Sequence, residues 1–288
     1  MFQGSFVAVV TPFKNGEVDF DKLKELVEFH VEKGTNGIVP CGTTGESPTL
    51  SHEEHDRVVD MVTETVAGRI KVIAGAGSNS TAEALRLTKH AKDAGADAVL
   101  SITPYYNKPT QQGLIEHFTT IADQVEIPMV MYNVPGRTGI KLMPDTIAKL
   151  AQHPNIVAIK EACGSVEQVC EILSRCDITV LSGDDSLTFP MIAVGGKGVI
   201  SVAANIIPAE VARMVKLSLD GDIASAREIH YKYWRVFKDL FVETNPIPVK
   251  TAMEMRGMLK FEMRLPMCAM QPANQERLRQ TLESCGLL

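Results

Sequence analysis

The chain has 288 residues, 45% hydrophobic and 22% charged, and its 29 Lys and Arg against 35 Asp and Glu give a formal net charge of −6. This is the composition of a globular protein, and it excludes disorder and fibrous repeats. The acidic balance argues against partners that need clustered basic side chains, and no apolar run is long enough to span a bilayer, so we expect neither nucleic acid nor membrane as a partner.

The beginning of the chain and its cysteines indicate a cytoplasmic location. The opening MFQGSFVAVVTPF has no basic leader, and its apolar stretch is too short for a signal peptide. The six cysteines form no Cys-x-x-Cys pair, and the seven histidines show no zinc-binding spacing. We therefore expect free thiols in a reducing compartment, no disulfide and no structural metal.

The first three-quarters of the chain alternates short apolar runs with longer amphipathic ones. The short runs are apolar on both faces, which is typical of parallel strands covered on both sides. The predicted strands are Ser5–Val10, Gly37–Pro40, Lys71–Gly75, Ala98–Ile102, Met129–Tyr132, Ile156–Lys160, Thr179–Ser182 and Gly198–Val202. The predicted helices are Phe20–Lys33, Glu53–Val66, Ala82–Ala94, Gln112–Gln124, Pro144–Ala151, Val166–Arg175, Ser186–Val194 and Ala209–Leu219.

Capping signals support several of these helices. Asp19 or Asp21 marks the start of the first, while Ser51 and Ser80 are each followed three residues later by Glu, the pattern of a capping box. Gly34 and Gly95 follow helix ends, where a left-handed residue is common.

Eight strand–helix units predict an α/β fold, a closed (β/α)8 TIM barrel with a C-terminal helical appendage. An open doubly wound sheet is the alternative, but the turn after the first strand lacks the G-x-G-x-x-G pattern. After Asp220 the alternation stops, and Asp222–Phe241, Pro248–Leu259 and Gln275–Ser284 are predicted helices. We expect a catalytic barrel over residues 1–221 and a helical region packed on it over residues 222–288.

Polar motifs follow the predicted strands at the end where barrel enzymes carry their active sites. The second strand is followed by CGTTGES, the fourth by TPYYN and the fifth by VPGRTG, while the sixth ends in IKE. Lys160 is the strongest candidate for a catalytic residue. Side chains alternate between the two faces of a strand, which places Ile156, Ala158 and Lys160 on one face. If Ala158 faces the crowded barrel interior, Lys160 points into a cavity at the top of that interior. Desolvation there lowers the pKa of the lysine, and the resulting neutral amine can attack a carbonyl.

The neighbouring motifs supply partners for such an amine. Tyr132 and the hydroxyl pair Thr43 and Thr44 suit a proton relay that adds no charge. Arg137 lies in a glycine-bounded loop, from which its planar fork can bind a carboxylate. The run Gly195-Gly196-Lys197-Gly198 lacks the spacing of a phosphate loop and predicts a helix-to-strand turn.

The motifs GTTGES, TPYYNKPTQ, YNVPGRTG, IKEA, SGDD and GGKGVISV, in this order, resemble the pyruvate-dependent Schiff-base aldolases. The resemblance covers the whole chain, including NPIPVK (Asn245–Lys250) in the tail. It is strongest to the members that condense pyruvate with (S)-aspartate 4-semialdehyde and cyclise the product, the first committed step of the diaminopimelate route to L-lysine. The resemblance thus implies a lyase of the class I aldolase type without metal or cofactor, because the lysine itself activates pyruvate.

The resemblance also implies roles for individual residues. The Schiff-base lysine falls on Lys160, and the proton relay on Thr44, Tyr132 and Tyr106, the last reaching in from a neighbouring subunit. The residues expected to contact the two substrates are Thr43 and Thr44 at the pyruvate carboxylate, Arg137 at the carboxylate of aspartate semialdehyde, and Gly183 and the Ile200 carbonyl beside them. Two positions depart from the pattern: Cys163, where Thr or Ser is expected, and Pro48, where Ala is common.

Assembly and regulation follow from the same resemblance. Because Tyr106 would complete a neighbour's relay, we expect a homo-oligomer. The resemblance favours a tetramer built from two tight dimers, but the sequence does not decide between dimer and tetramer. An allosteric site for L-lysine is expected at Ser47, His52, His55, Asn79, Glu83 and Tyr105. The alternative for the two histidines is that they are polar residues at the start of a helix, where a spacing of three places them on one face.

Two other functions remain open from the sequence alone. The first is another pyruvate aldolase, such as N-acetylneuraminate lyase or a 2-keto-3-deoxy sugar-acid aldolase. Arg137 argues against it, because a short substrate with its own carboxylate needs that cation, whereas a sugar tail needs more hydroxyl partners. The second is a non-catalytic binding barrel, which predicts the loss of at least one relay residue.

Overall fold

The computed structural model describes residues 2–288. Eight parallel strands close into a barrel in chain order, with the last strand pairing the first. The barrel strands are β1 (Gly4–Ala8), β2 (Gly37–Val39), β3 (Lys71–Gly75), β4 (Ala98–Ile102), β5 (Met129–Asn133), β6 (Ile156–Glu161), β7 (Thr179–Ser182) and β8 (Gly198–Ser201). The predicted (β/α)8 fold is confirmed, and the open sheet is excluded.

Helices connect the strands and surround the barrel. They are Phe20–Glu32, His52–Val66, Thr81–Asp93, Gln111–Gln124, Pro144–Leu150, Val166–Leu173, Thr188–Ala193 and Pro208–Asp220. Three more helices form the tail, namely Ile223–Asp239, Ile247–Met255 and Pro272–Ser284. The sequence did not predict the hairpin of Phe13–Lys14 with Glu17–Val18, or the four-residue helix Pro135–Thr138.

The capping predictions are confirmed at two helices and wrong at a third. Asp19 accepts a hydrogen bond from the Lys22 amide, and Ser51 forms the predicted capping box with Glu54. Ser80 precedes its helix without a side-chain cap; its backbone N–H donates to the Ser78 hydroxyl, and the Glu83 carboxylate bonds Ser78 and His52.

The barrel interior is filled by alternate side chains of the strands, as the period of two requires. Phe6, Ile73, Leu100, Val130 and Leu181 form a buried cluster inside the barrel, separate from the larger core between strands and helices.

The sixth strand departs from strict alternation at its start. Met129 pairs with Ile156 while the next residue, Val130, pairs with Ala158, so Val157 is an extra residue in the ladder. Ile156 therefore joins the outer core, and its predicted place on the Lys160 face is wrong. Ala158 lies in the interior cluster as predicted, and Lys160 follows it on the same face.

The tail helices share the outer core of the barrel. Tyr233, Phe237, Val249 and Met253 belong to the same buried cluster as the residues between the strands and the surrounding helices. The division of the chain into residues 1–221 and 222–288 stays a prediction. Within residues 2–288, no helix combines the length and apolar character needed to cross a membrane.

Candidate active site

A cavity of about 180 Å³ opens at the carboxyl end of the barrel strands. Six of the predicted site residues line it: Thr43, Thr44, Tyr132, Arg137, Lys160 and Gly183. They come from the ends of β5, β6 and β7 and from the loops after β2 and β5, so closure of the barrel brings together residues up to 140 positions apart in the chain. The arrangement is that of an active site on a (β/α)8 barrel.

Lys160 presents a buried amine to this cavity. Its Nζ lies 4.3 Å from the centre of the Tyr132 ring, and the residue is 6% exposed. Burial lowers the pKa of the Lys160 ammonium to about 8; Asp184 and Asp185 raise it, and Arg137 lowers it further. At pH 7 about a tenth of the Lys160 side chains are therefore the neutral, nucleophilic amine, far more than at the ordinary lysine pKa.

Gly183 makes room for the Lys160 side chain. A β-carbon added at Gly183 would lie 2.6 Å from Ala162 Cβ and 3.1 Å from Lys160 Cε. Any larger residue would thus push against the methylene stem of the lysine. The absence of a side chain is what allows β7 to pass so close to the reactive amine.

The hydroxyl groups around Lys160 are buried but not joined in one continuous relay within this chain. Burial raises the pKa of Tyr132 to about 12, and a side-chain hydrogen bond with Thr43 opposes that rise. The Thr44 hydroxyl instead accepts a hydrogen bond of 2.9 Å from the side-chain amide of Asn245 in the tail. Tyr106 is 90% exposed and does not line this cavity.

Arg137 stands at the mouth of the cavity on the short helix after β5. Its Nη2 donates to the Asn245 carbonyl at 3.2 Å, which leaves the rest of the guanidinium free to meet a carboxylate. Ile200, the remaining predicted contact, is buried inside the barrel on β8 and does not line the cavity with its side chain.

Outside the barrel wall, a hydrogen-bond network holds the strand ends that carry Tyr132 and Lys160. Glu161 accepts from the side-chain amides of Asn133 (2.9 Å) and Gln168 (3.1 Å) and from the Cys163 backbone (2.9 Å). Asn133 and Glu161 are register partners and directly follow the two site residues. Cys163 itself is half-buried, and burial raises the pKa of its thiol to about 12. The cysteine that stands where Thr or Ser was expected is therefore an unreactive thiol.

A second cavity, of about 480 Å³, adjoins the first. Ser47, His52, His55, Glu83 and Tyr105 line it, together with Pro48. Of the six residues predicted for an effector site, only Asn79 is outside the lining; it is half-buried, and its carbonyl accepts from the Asn107 side chain. The two cavities share a wall made of Gly42, Thr43, Leu100, Tyr132 and Arg137.

Glu83 is the negative centre of this second cavity. It lies 2.8 Å from His52 Nε2 and also accepts from the Ser78 hydroxyl. The hydrogen bond from Ser78 has the larger effect and that from His52 the smaller, and together they hold the pKa of the Glu83 carboxyl below its usual value. Burial and the Glu83 charge raise the pKa of Tyr105. The cavity therefore offers a carboxylate suited to an ammonium group.

Sequence reasoning missed three features of the site, all of which depend on tertiary contacts. In the sequence Asn245 stands out only as part of the NPIPVK motif, yet it lines the first cavity. Asp184 stands out in the sequence only as part of SGDD, and among residues 2–288 it is the one carboxylate in the lining. Lys250 forms a buried ion pair with Glu46, two residues after Thr44. Lys250 directly follows the apolar run Ile247-Pro248-Val249, and this was the one signal in the sequence that could have pointed to a buried partner.

Metal-binding groups are not part of this arrangement. In the described part of the chain, no three His, Cys, Asp or Glu side chains are grouped so that they could hold a metal ion. The six cysteines are free thiols.

Comparison with known proteins agrees with this geometry. Residues 1–285 match the dihydrodipicolinate synthetase family. The 4-hydroxy-tetrahydrodipicolinate synthase of Geotalea uraniireducens is 56% identical over the full length of both chains. The dihydrodipicolinate synthase of Acinetobacter baumannii, solved with pyruvate, is 45% identical with a TM-score of 0.98 over all of both chains. The enzyme of Cyanidioschyzon merolae, solved with lysine bound, is 43% identical with a TM-score of 0.97 over 100% of this chain and 99% of its own.

Proposed function

The chain belongs to the dihydrodipicolinate synthetase family and has the 4-hydroxy-tetrahydrodipicolinate synthase activity of its relatives, and we propose that Lys160 performs it by forming a Schiff base with pyruvate. The observation that carries the proposal is the buried Lys160 amine at the carboxyl end of the barrel, with its pKa lowered to about 8 by burial. The sugar-acid aldolase and the non-catalytic barrel are set aside, because the full-length relatives are synthases.

The chemistry follows from the groups in the cavity. The neutral Lys160 amine adds to the ketone of pyruvate and water leaves, so that a carbon–nitrogen double bond replaces carbon–oxygen. The iminium withdraws electrons and makes the methyl group acidic; loss of a methyl proton gives an enamine. The enamine carbon bonds to the aldehyde carbon of (S)-aspartate 4-semialdehyde. The amine of that substrate then attacks the imine carbon, displaces Lys160 and closes the ring.

The remaining site residues bind substrates and move protons. Thr43 and Thr44 hold the pyruvate carboxylate through hydroxyl and backbone N–H groups, and Arg137 binds the carboxylate of the second substrate. Gly183 and the Ile200 carbonyl lie beside the bound molecules. Thr44, Tyr132 and a neighbour's Tyr106 relay protons among the amine, the departing oxygen and solvent. No metal or cofactor is required, because the iminium is itself the electron sink.

Borohydride trapping tests the nucleophile directly. Reduction in the presence of pyruvate should fix the three-carbon unit to the protein, and peptide mapping should place the added mass on Lys160. Label on Lys141 or Lys197 instead would refute the assignment. A coupled assay with pyruvate and aspartate semialdehyde, with and without L-lysine, then tests turnover.

Adduct formation should depend on pH with a midpoint near 8. The ammonium form of Lys160 cannot attack, so the rate should rise as pH increases through about 8 and level off above it. Since the Asp184 charge raises this pKa, Asp184→Asn should move the midpoint to lower pH. Borohydride quenching at short times from pH 6 to pH 10 measures the profile. A midpoint near the ordinary lysine value of 10.5 would contradict the buried-amine mechanism.

The active assembly is a homo-oligomer, at least a dimer and in full a tetramer of two tight dimers. Its support is Tyr106, which is 90% exposed in the single chain although the relay needs its hydroxyl. Tyr106→Phe should lower turnover by roughly 10²-fold, the scale of one proton-transfer group, with little change in thermal stability. Tyr231→Phe, at a tyrosine 68% exposed, is the control. Sedimentation that shows a fully active monomer would exclude the shared relay.

L-Lysine is the effector of the second cavity. Glu83 pairs with its ammonium, His52, His55 and Ser47 surround it, and Asn79 and Tyr105 bond its carboxylate. The support is the carboxylate at the centre of the lining and the wall shared with the active site, which includes Tyr132. An effector that binds the less active arrangement more tightly couples the two sites by about 1–3 kcal/mol.

Glu83→Gln should abolish inhibition by L-lysine while turnover without the effector stays the same, because the change removes the charge that pairs with the ammonium. Glu116→Gln, a surface change on another helix, is the control. Calorimetric titration measures binding, and the coupled assay measures inhibition. Unchanged inhibition in Glu83→Gln would mean that L-lysine acts elsewhere.

The cytoplasm is the compartment we propose for this enzyme. Six free thiols, five of them at least partly exposed, suit a reducing environment.

A further inference from the structure

Asn245 is a tail residue that reaches the active site. It lies just before the helix Ile247–Met255, lines the cavity of Lys160 and is 4% exposed. Its side-chain Nδ2 donates to Thr44 Oγ1 at 2.9 Å, and its backbone carbonyl accepts from Arg137 Nη2 at 3.2 Å. A single residue from outside the barrel thus contacts both a relay hydroxyl and the arginine at the mouth.

The direction of the hydrogen bond to Thr44 has a chemical consequence. An amide NH₂ group donates and cannot accept, so Thr44 Oγ1 is the acceptor in this pair. A threonine hydroxyl has one proton, and that proton must then point away from Asn245, free for another acceptor. We propose that Asn245 is a positioning residue that orients the Thr44 hydroxyl for proton transfer during enamine formation, an inference that rests on the proposed Schiff-base mechanism.

The other polar atom of the Asn245 side chain, its amide oxygen, is unusual for a buried amide. Asn245 Oδ1 is buried and has no hydrogen-bond partner in the described part of the chain. Buried amide oxygens are nearly always paired, and unpaired ones need a specific reason. Turning the amide over would place Oδ1 against Thr44 and reverse the direction of its hydroxyl. The observed orientation leaves the acceptor unpaired and keeps the Thr44 proton available.

The neighbouring contacts hold Asn245 in place. Lys250, five residues later, is fully buried, pairs with Glu46 and donates to the Glu262 carbonyl at 2.9 Å. Glu46 follows Thr44 by two residues. The Thr44 loop and the Asn245 segment are therefore joined at two points, so the amide and the hydroxyl keep their relative position.

Two variants test the proposal through a half-reaction. Exchange of the pyruvate methyl protons with D₂O, followed by proton NMR without the second substrate, reports enamine formation. Asn245→Asp presents an acceptor to Thr44 and binds its hydroxyl proton, so exchange should slow by roughly 10²-fold. Asn245→Ala leaves the hydroxyl free to rotate and should slow exchange by only about tenfold.

Other readouts separate positioning from a structural role. The KM for pyruvate and the final amount of borohydride-trapped Lys160 adduct should stay near the wild-type values in both variants. The KM for aspartate semialdehyde should change little, since the backbone carbonyl that contacts Arg137 is retained. Asn274→Ala removes a tail amide that bonds Glu243, outside the cavity, and should leave every rate unchanged.

The outcomes are distinguishable. The proposal is supported if both variants form the full amount of adduct but exchange slowly, and if Asn245→Asp exchanges more slowly than Asn245→Ala. Wild-type exchange in both variants overturns it, and so does a raised KM for pyruvate with unchanged exchange at saturation, which would make Asn245 a binding residue. If the wild-type enzyme forms no Lys160 adduct, the Schiff-base mechanism itself fails, whatever the variants do.

Discussion

Replacing Lys160 with arginine is expected to reduce turnover by roughly 10⁴-fold or more, the scale on which loss of a covalent nucleophile acts. Arginine keeps the positive charge near Asp184 and Asp185, but its guanidinium stays protonated and cannot attack a ketone. No pyruvate should be trapped by borohydride in this variant. The measurement is steady-state turnover together with the mass of the reduced protein.

The control for this experiment is Lys197→Arg, the same change at an exposed lysine before β8. Its turnover and its trapped adduct should match the wild type. Circular dichroism should show the same folded spectrum for both variants, and Lys160→Met provides a second test without a buried charge. Substantial turnover in Lys160→Arg would mean that pyruvate is activated by another group.

Lys250→Met is expected to destabilise the fold by about 3–5 kcal/mol, because it leaves the Glu46 carboxylate buried without its partner. Burial already raises the pKa of Glu46, and the Lys250 charge opposes that rise. Without Lys250, the folded protein binds a proton at Glu46 more tightly than the unfolded chain does. The variant should therefore be closest to wild-type stability in acid and lose stability as pH rises through the raised pKa of Glu46.

Urea denaturation of the purified protein at pH 5 and pH 8 measures this effect. The matched control is Lys216→Met, which breaks a surface pair with Asp220 and should change stability by less than about 0.5 kcal/mol. Adding Glu46→Gln to Lys250→Met should recover part of the loss, since the buried charge is then gone. An equal loss at both pH values would show that packing of the Lys250 stem, rather than the unpaired charge, stabilises this segment.

Several features of the protein were decided by local sequence. Parallel strands buried on both faces appear as short apolar runs, and for this reason β3, β4 and β7 were predicted with both ends correct. The capping box of Ser51 with Glu54 was equally predictable, because its hydrogen bonds join residues three apart. Lys160 was found because the alternation of side chains along a strand needs no knowledge of neighbouring strands. Motif order then identified the family.

Other features were decided only by the tertiary structure. The extra residue Val157 in β6 depends on pairing with β5, so Ile156 faces outward although simple alternation placed it inside. The predicted capping box of Ser80 does not form, and the Glu83 side chain bonds His52 of another helix as well as the nearby Ser78. Asn245 meets Thr44 across 201 positions of sequence, and Lys250 meets Glu46 across 204. A local sequence pattern determines whether a segment forms a helix or a strand and which face of it a side chain occupies. Hydrogen-bond partners that are about 200 residues apart are determined instead by how the barrel closes and where the tail packs on it.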